Sequence, residues 1–383
     1  MLPCQRHLFD IPDDVAYLNC AYMSPLMKPA LEAGTAGLAR KAHPWQVTPD
    51  QFFTGAEEFR TTAAQIVDCS TECIAIVPSA SYGIATAARN LPLDKGQSIL
   101  VLDEQFPSNY YGWQRLAEEK DASLKIVPWP EDSDWTAAIL NSLTADVAIA
   151  ALPHVQWTSG GRLDLVRIGE ACRKLGAALV LDLTQSLGAL PFSVREVQPD
   201  FAVAACYKWL LGPYSVGLLY VAPKWQGGMP LEENWIQRAN ASDFASLILY
   251  TENYDAGARR FDMGERAHFA LLPAAVRAME QLLEWKIARI SETAGALNRQ
   301  LAHEAADLGF SAPPEPLRAP HYLALRRRAA IPKELPEMLA REKVFVSVRG
   351  SSIRVTPHVY NTVEDGERLI RCLRRVVGGA ARH

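Results

Sequence analysis

The chain has 383 residues, 49% of them hydrophobic and 21% charged, with a net charge of −4. That is enough apolar mass for one large core and a second, smaller one, and the slight acidity gives no reason to expect nucleic acid or an anionic membrane as partner. Seven scattered cysteines and eight histidines without metal-ligand spacing argue against a disulfide framework or a structural metal, and fit a reducing cytoplasm.

The start, "MLPCQRHLFDIPDDVAYL", shows no basic segment followed by an apolar run, and no apolar run in the chain reaches membrane-spanning length. From residue 56 onward short apolar, β-branched runs alternate with amphipathic helical segments such as "DLVRIGEACRKLG", 164–176, with its basic end and glycine stop. Strands are expected at 73–77, 98–102, 124–127, 147–152, 178–183, 201–204 and 216–221. This order implies an α/β fold with a mostly parallel seven-stranded sheet between helices. After about residue 264 two long helices are expected, over 267–285 and 286–308. A proline-rich link, "SAPPEPLRAP", then leads into "HYLALRR", "PKELPEMLAREK", "VFVSVRG", "SSIRVTPHVY" and "NTVEDGERLIRCLRRVV", expected as β-α-β-β-α, the last helix opening on a capping-box-like Thr362–Asp365. The division expected is an N-terminal segment 1–20, a large domain 21–264 and a small α+β domain 265–383.

Ligands of open α/β sheets sit at the carboxyl ends of the strands, so the polar residues there carry the chemistry. After the first strand, "VPSASYGI" offers Ser79, Ala80 and Ser81 at a helix start, where free N–H groups and hydroxyls suit a phosphate. After the second, Phe106 in "DEQFPSNYYGW" could stack on a flat ring. After the fifth, Asp182 interrupts an apolar strand and needs a cationic or hydrogen-bonding partner, with Gln185 three residues on. Lys208 lies in "CYKWLLGPYSVGLLYV", where every neighbour suits burial or a tight turn. Desolvation disfavours a lysine's charge, and a neutral amine is what forms an imine with an aldehyde. Each residue taken alone also has an ordinary explanation: a helix cap, a loop-anchoring aromatic, a turn-capping aspartate. Together they supply the parts that pyridoxal 5′-phosphate requires.

With these residues in place, the sequence resembles the class V aminotransferase group of fold-type I pyridoxal-phosphate enzymes, which includes cysteine desulfurases, kynureninases and isopenicillin N epimerase-like proteins. "VLDLTQSLGALPFSV" is similar to the family's D-x-x-Q-x-x-G-x-x-P segment and "PDFAVAACYKWLLGPYSVGLLYV" to its lysine segment; the likeness runs from "AYLNCAYMSPLMKPALEA" to "SIRVTPHVYNTVEDGERLI". The resemblance implies that Lys208 holds the cofactor as a Schiff base and later moves the substrate's α-proton. It implies that Asp182 pairs with the pyridine nitrogen, that Gln185 bonds near the ring's phenolic oxygen and that Phe106 stacks on the ring. Ala80, Ser81 and Tyr207 are then phosphate ligands. Arg354 grips the substrate carboxylate, with Arg349 as a nearby alternative, and Trp157 lines the substrate pocket or simply packs. Trp235 is a weaker pocket candidate.

The sequence also departs from the family. "VFVSVRGSSIRV" lacks the desulfurases' catalytic cysteine, which excludes a persulfide mechanism for want of a thiolate. Cys206 is expected to point away from Lys208. In "GARRFDMGERAHF", Glu265 replaces the threonine that, in many members, touches the partner subunit's phosphate. Either Glu265 turns away or Arg259, Arg260 or Arg266 compensates, and Arg260 or a near neighbour is expected close to the partner's site. The reading is a cytoplasmic, homodimeric enzyme acting on an amino acid or small amine, with transamination ahead of a kynureninase-like or C–S lyase reaction. A non-catalytic binding module is a third alternative.

Overall fold

The computed structural model describes residues 1–327, 331 and 334–380. All seven expected strands of the first part form, and they share one sheet. They are β1 (Ile74–Val77), β2 (Ser98–Leu102), β3 (Ser123–Val127), β4 (Val147–Pro153), β5 (Ala178–Asp182), β6 (Phe201–Ala205) and β7 (Gly217–Val221). The spatial order is β1-β7-β6-β5-β4-β2-β3. Only β7 runs against its neighbours, β1 and β6. β1 starts one residue later than expected because Ser70 caps a 3₁₀ turn, its side chain accepting from the Glu72 N–H at 3.3 Å.

The central strands carry apolar residues on both faces because helices cover both. One core contains Ile76, Leu100, Leu152, Leu181 and Leu218 under the helices on one side. The other contains Val77, Val101, Val180 and Val203 under Ala80–Asn90 and Tyr111–Glu119. The helix expected over 164–176 forms as Leu165–Leu175, capped by Asp164 and stopped by Gly176 in the left-handed region.

The two long helices are shorter than the periodicity suggests, at Leu271–Trp285 and Ile287–Ala306, with Lys286 breaking the helical run at φ 66°. Leu272, Ala275, Met279 and Leu282 of the first pack into the core beneath the large sheet. A second, antiparallel sheet then forms from β8 (Phe310–Ser311), β9 (Leu323–Arg327), β10 (Ser347–Arg349) and β11 (Ser352–Val355), in the order β10-β11-β9-β8. Its residues alternate by face. Leu323, Leu325, Ile353 and Val355 pack on Leu301, Leu369, Ile370 and Leu373 of the helices.

The segment "VFVSVRG" does not form one strand. Val344–Phe345 instead pairs, parallel, with Ala16–Tyr17, and only Ser347–Arg349 joins the sheet. The helix expected over 332–343 is found as Leu335–Arg341; its first two expected residues, Pro332 and Lys333, lie outside the described residues. The capping box is present: the Asp365 N–H donates to Thr362 Oγ1 at 3.3 Å, and the Thr362 N–H to Asp365 Oδ2 at 3.1 Å. No described helix is long and apolar enough to cross a membrane.

Candidate active site

A cavity of about 210 Å³ opens at the carboxyl ends of the parallel strands. Ala80, Ser81, Phe106, Trp157, Asp182, Gln185, Tyr207 and Lys208, drawn from segments more than a hundred residues apart, all line it. The sequence signal that unites them is position, since each follows a strand end.

Lys208 sits on a tight turn just past β6. The Leu211 N–H donates to the Lys208 carbonyl at 3.0 Å and the Gly212 N–H to the Cys206 carbonyl at 2.9 Å. A Cβ on Gly212 would stand 2.8 Å from that of Cys206, so the turn closes only with glycine there. The ammonium is 5.4 Å from the Phe106 ring centre and 5.3 Å from that of Tyr207. Burial pulls its pKa down to about 8; Asp182 opposes that, and the charges of Arg354 and Arg349 add to it. Cys206 is buried and absent from the cavity wall, with its thiol pushed up to about 12 by burial.

Asp182 ends β5 and accepts the Thr184 N–H at 2.9 Å. Burial pushes its carboxyl pKa up, against the Thr184 bonds and the Lys208 charge. Gln185 is held from three sides. Its Nε2 donates to the Ala21 carbonyl at 3.2 Å, its Oε1 accepts from Trp209 Nε1 at 3.1 Å, and its backbone carbonyl lies 2.9 Å from His321 Nε2. One amide N–H of Gln185 is left for the cavity.

The phosphate-type end is the start of the helix Ala80–Asn90. Ser79 caps it, its Oγ accepting from the Tyr82 N–H at 3.2 Å and lying 2.9 Å from Ser81 Oγ. Tyr207 completes this side with Tyr214, ring centres 4.6 Å apart, and burial raises the Tyr207 pKa to about 12. On the opposite wall Phe106 meets Trp157 edge to face at 5.3 Å, and Trp157 Nε1 donates to the Glu104 carbonyl at 2.7 Å. Arg354 stands behind Trp157, its Nη1 donating to the Trp157 carbonyl at 3.2 Å and its guanidinium 5.6 Å from the ring centre. It is 2% exposed, its Nε has no partner, and it pairs with no carboxylate among the described residues.

Some expected residues lie elsewhere. Trp235 packs with Phe52, Phe53 and Phe244, apart from this cavity, because its segment leaves the sheet altogether. Arg259 pairs with Glu57 and Glu72, and Arg266 with Asp262, so both are neutralised within the chain. Arg260 stacks 4.5 Å from the Tyr254 ring centre and pairs with no carboxylate among the described residues. Glu265 is exposed, at φ 56°. The sequence reading missed Gln105, Asn109, Thr184 and Ser215 on the wall, and the His321–Trp209 grip on Gln185. Thr184, inside "DLTQ", was the one within reach of a motif argument. A single histidine before a strand carries no such signal.

The donor set fits pyridoxal phosphate: a depressed lysine amine, a buried carboxyl facing it, a capped helix start with two hydroxyls, and an aromatic face. A family profile, "Aminotransferase class-V", matches residues 35–371. The uncharacterized aminotransferase YcbU of Bacillus subtilis is 26% identical over 365 residues, covering 94% of both chains. A kynureninase of Bacillus cereus is 26% identical over 363 residues, covering 90% of this chain and 82% of its own. Among solved structures, the apo cysteine desulfurase of Thermococcus onnurineus superposes with TM-score 0.81 at 18% identity, covering 99% of each chain. A C-DES mutant with glycine covalently linked to its PLP cofactor reaches 0.84 at 20% identity, over 96% of this chain and 99% of its own. At such identities the structural likeness speaks for the fold, which is the fold-type I α/β architecture. The match over most of the chain settles the family: this protein is a member of the class V aminotransferases, fold-type I enzymes whose cofactor is pyridoxal phosphate.

Proposed function

We propose that the protein is an aminotransferase acting on an amino acid. The observation that carries this is Lys208, a buried amine whose pKa burial lowers to about 8, on the wall of the same cavity as Asp182. When bound, pyridoxal phosphate supplies an electron-withdrawing ring that weakens the bonds at the substrate's α-carbon. Lys208 Nζ is the amine that would hold the cofactor, and it is the base placed to take and return a proton at the substrate's α-carbon. Burial raises the Asp182 pKa, and a protonated ring nitrogen beside it would favour its charged form. The free amide N–H of Gln185 donates to the phenolic oxygen. Ala80, Ser81 and Tyr207 take the phosphate with the N-terminal N–H groups of their helix. Phe106 covers one ring face and Trp157 walls the substrate side, keeping water off the reacting carbon. Arg354, a buried guanidinium with an unpartnered Nε, takes the substrate α-carboxylate.

The hairpin β10–β11 carries Ser347, Arg349, Ser352 and Arg354 and no cysteine, and the nearest cysteine in sequence to Lys208 is an inert buried thiol. A desulfurase's persulfide step therefore lacks a thiolate on this hairpin. The kynureninase relative and the Phe106–Trp157 pair support a second reading, a kynureninase-like or C–S lyase. We further propose a cytoplasmic homodimer in which Arg260, the arginine of its segment without a carboxylate partner among the described residues, faces the partner's phosphate. The exposed Leu38, Ile248, Leu249 and Tyr250 are apolar surface that a partner would cover.

A panel of amino acids tests the reaction. Conversion of the bound cofactor to its pyridoxamine form, reversed by an added keto acid, is the expected result. Release of alanine, sulfide or an aromatic acid without that exchange would establish the lyase instead. A purified protein whose visible band survives Lys208→Ala would refute both.

A further inference from the structure

The sheet register puts more positive charge beside the substrate position than one carboxylate uses. In the antiparallel pairs, Arg354 lies opposite Ser347, and Ser352 lies opposite both Arg349 and Arg326. Residues opposite one another, and residues two apart on a strand, share a face. Arg326, Arg349 and Arg354 therefore share one face of the small sheet, the face away from its leucine and isoleucine core. That face meets the cavity wall. Ser352 Oγ donates to the Thr158 carbonyl at 3.2 Å, Arg354 Nη1 to the Trp157 carbonyl at 3.2 Å, and Trp157 lines the cavity.

The three arginines differ in what occupies them. Arg326 lies 4.1 Å from the Trp129 ring centre and has the Glu104 charge near it. Arg354 is buried with its Nε unpartnered. Arg349 is half-buried at the mouth of a two-residue hairpin whose Gly350 has φ 53°. Its one hydrogen bond goes to the neighbouring Val348 carbonyl at 2.8 Å, and it pairs with no carboxylate among the described residues. Its charge and that of Arg354 both act on Lys208. Diagonal neighbours across an antiparallel pair stand about 7–8 Å apart. Two arginines anchored at that backbone spacing, neither paired with a carboxylate among the described residues, suit two carboxylates joined by a short chain.

We propose that Arg349 forms a second anion subsite beside Arg354, so that the substrate is a dicarboxylic amino acid whose side-chain acid is held by Arg349. This rests on the reading that Arg354 takes the α-carboxylate.

Binding of glutarate and of butyrate to the holoenzyme, measured by calorimetry, tests it without turnover. Wild type is expected to prefer glutarate by about tenfold or more, the size of one charge-assisted pair. Arg349→Gln is expected to lose that preference through weaker glutarate binding, and Arg349→Lys to restore most of it. Thermal melts that match wild type confirm that the variants fold. Arg354→Gln is expected to weaken both probes. A wild type that does not distinguish the probes, or an Arg349→Gln protein that keeps the preference, would overturn the second subsite while leaving Arg354 in place. If Arg354→Gln moved neither probe and Arg349→Gln moved both, the α-carboxylate would belong to Arg349 and both assignments would fall.

Discussion

The depressed Lys208 amine makes a quantitative prediction about how the apoprotein takes up its cofactor. A free lysine side chain titrates near pH ~10.4, whereas Lys208 titrates at about 8. At pH 7 the neutral, nucleophilic share is then ~10% for Lys208 against ~0.04% for a free lysine, a gain of ~250-fold. The second-order rate of pyridoxal phosphate incorporation should therefore rise tenfold per pH unit and level off near pH 8. Dividing by the rate with Nα-acetyl-lysine at each pH removes the titration of the cofactor itself. Asp182 is the group that holds the proton on, so Asp182→Asn should move the break to lower pH; Arg354→Gln should move it up. A normalised rate with no break between pH 7 and 9 would show that burial does not set this amine's basicity. The same shift has a stability sign. The unfolded chain binds more protons between pH 8 and 10.4, so apoprotein stability should rise across that window, by ~3 kcal/mol in all.

Two further outcomes follow from the surroundings of the site. Gly188 of the D-x-x-Q-x-x-G segment has φ 100°, and a Cβ there would fall 2.3 Å from the Trp209 carbonyl oxygen. Gly188→Ala should cost ~3 kcal/mol or more in a urea melt and displace the Lys208 turn, and an unchanged midpoint would refute the steric argument. Three histidines, His154, His321 and His358, are buried, and desolvation lowers them to about 3, 4 and 3. Folded, they stay neutral while the unfolded chain begins to bind protons near pH ~6.5, so their contribution is complete above that pH and is lost as pH falls. Stability at pH 5 should be lower than at pH 7 by ~2 kcal/mol per histidine, and His358→Phe should flatten the profile by one such share. Urea midpoints that stay level from pH 7 to 5 would contradict it.

The parts of the molecule that were legible in the sequence are those in which local pattern and long-range position coincide. Continuous apolar runs gave the seven strands because each is covered on both faces, so no outside partner is needed to explain the run. Strand ends then gave the cavity wall, since the parallel strands bring their carboxyl ends to one edge and Ser81, Phe106, Asp182 and Lys208 each lie at or just past one. Thr362–Asp365 was legible because a capping box is closed within four residues. What escaped depends on pairing that the local sequence does not encode. Val344–Phe345 reads as part of one strand, yet its partner is Ala16–Tyr17, more than three hundred residues away. Trp235 is an aromatic near charged residues in sequence, but three phenylalanines claim it. Arg349 and Arg354 look like alternatives for one role when read as neighbours five residues apart in a chain. Folded about the Gly350 turn they lie on the same face, one rung apart. An odd separation would put the two on opposite faces of a straight strand. The two-residue hairpin reverses the chain and so restores them to one side, and that reversal turns a choice between two arginines into a pair.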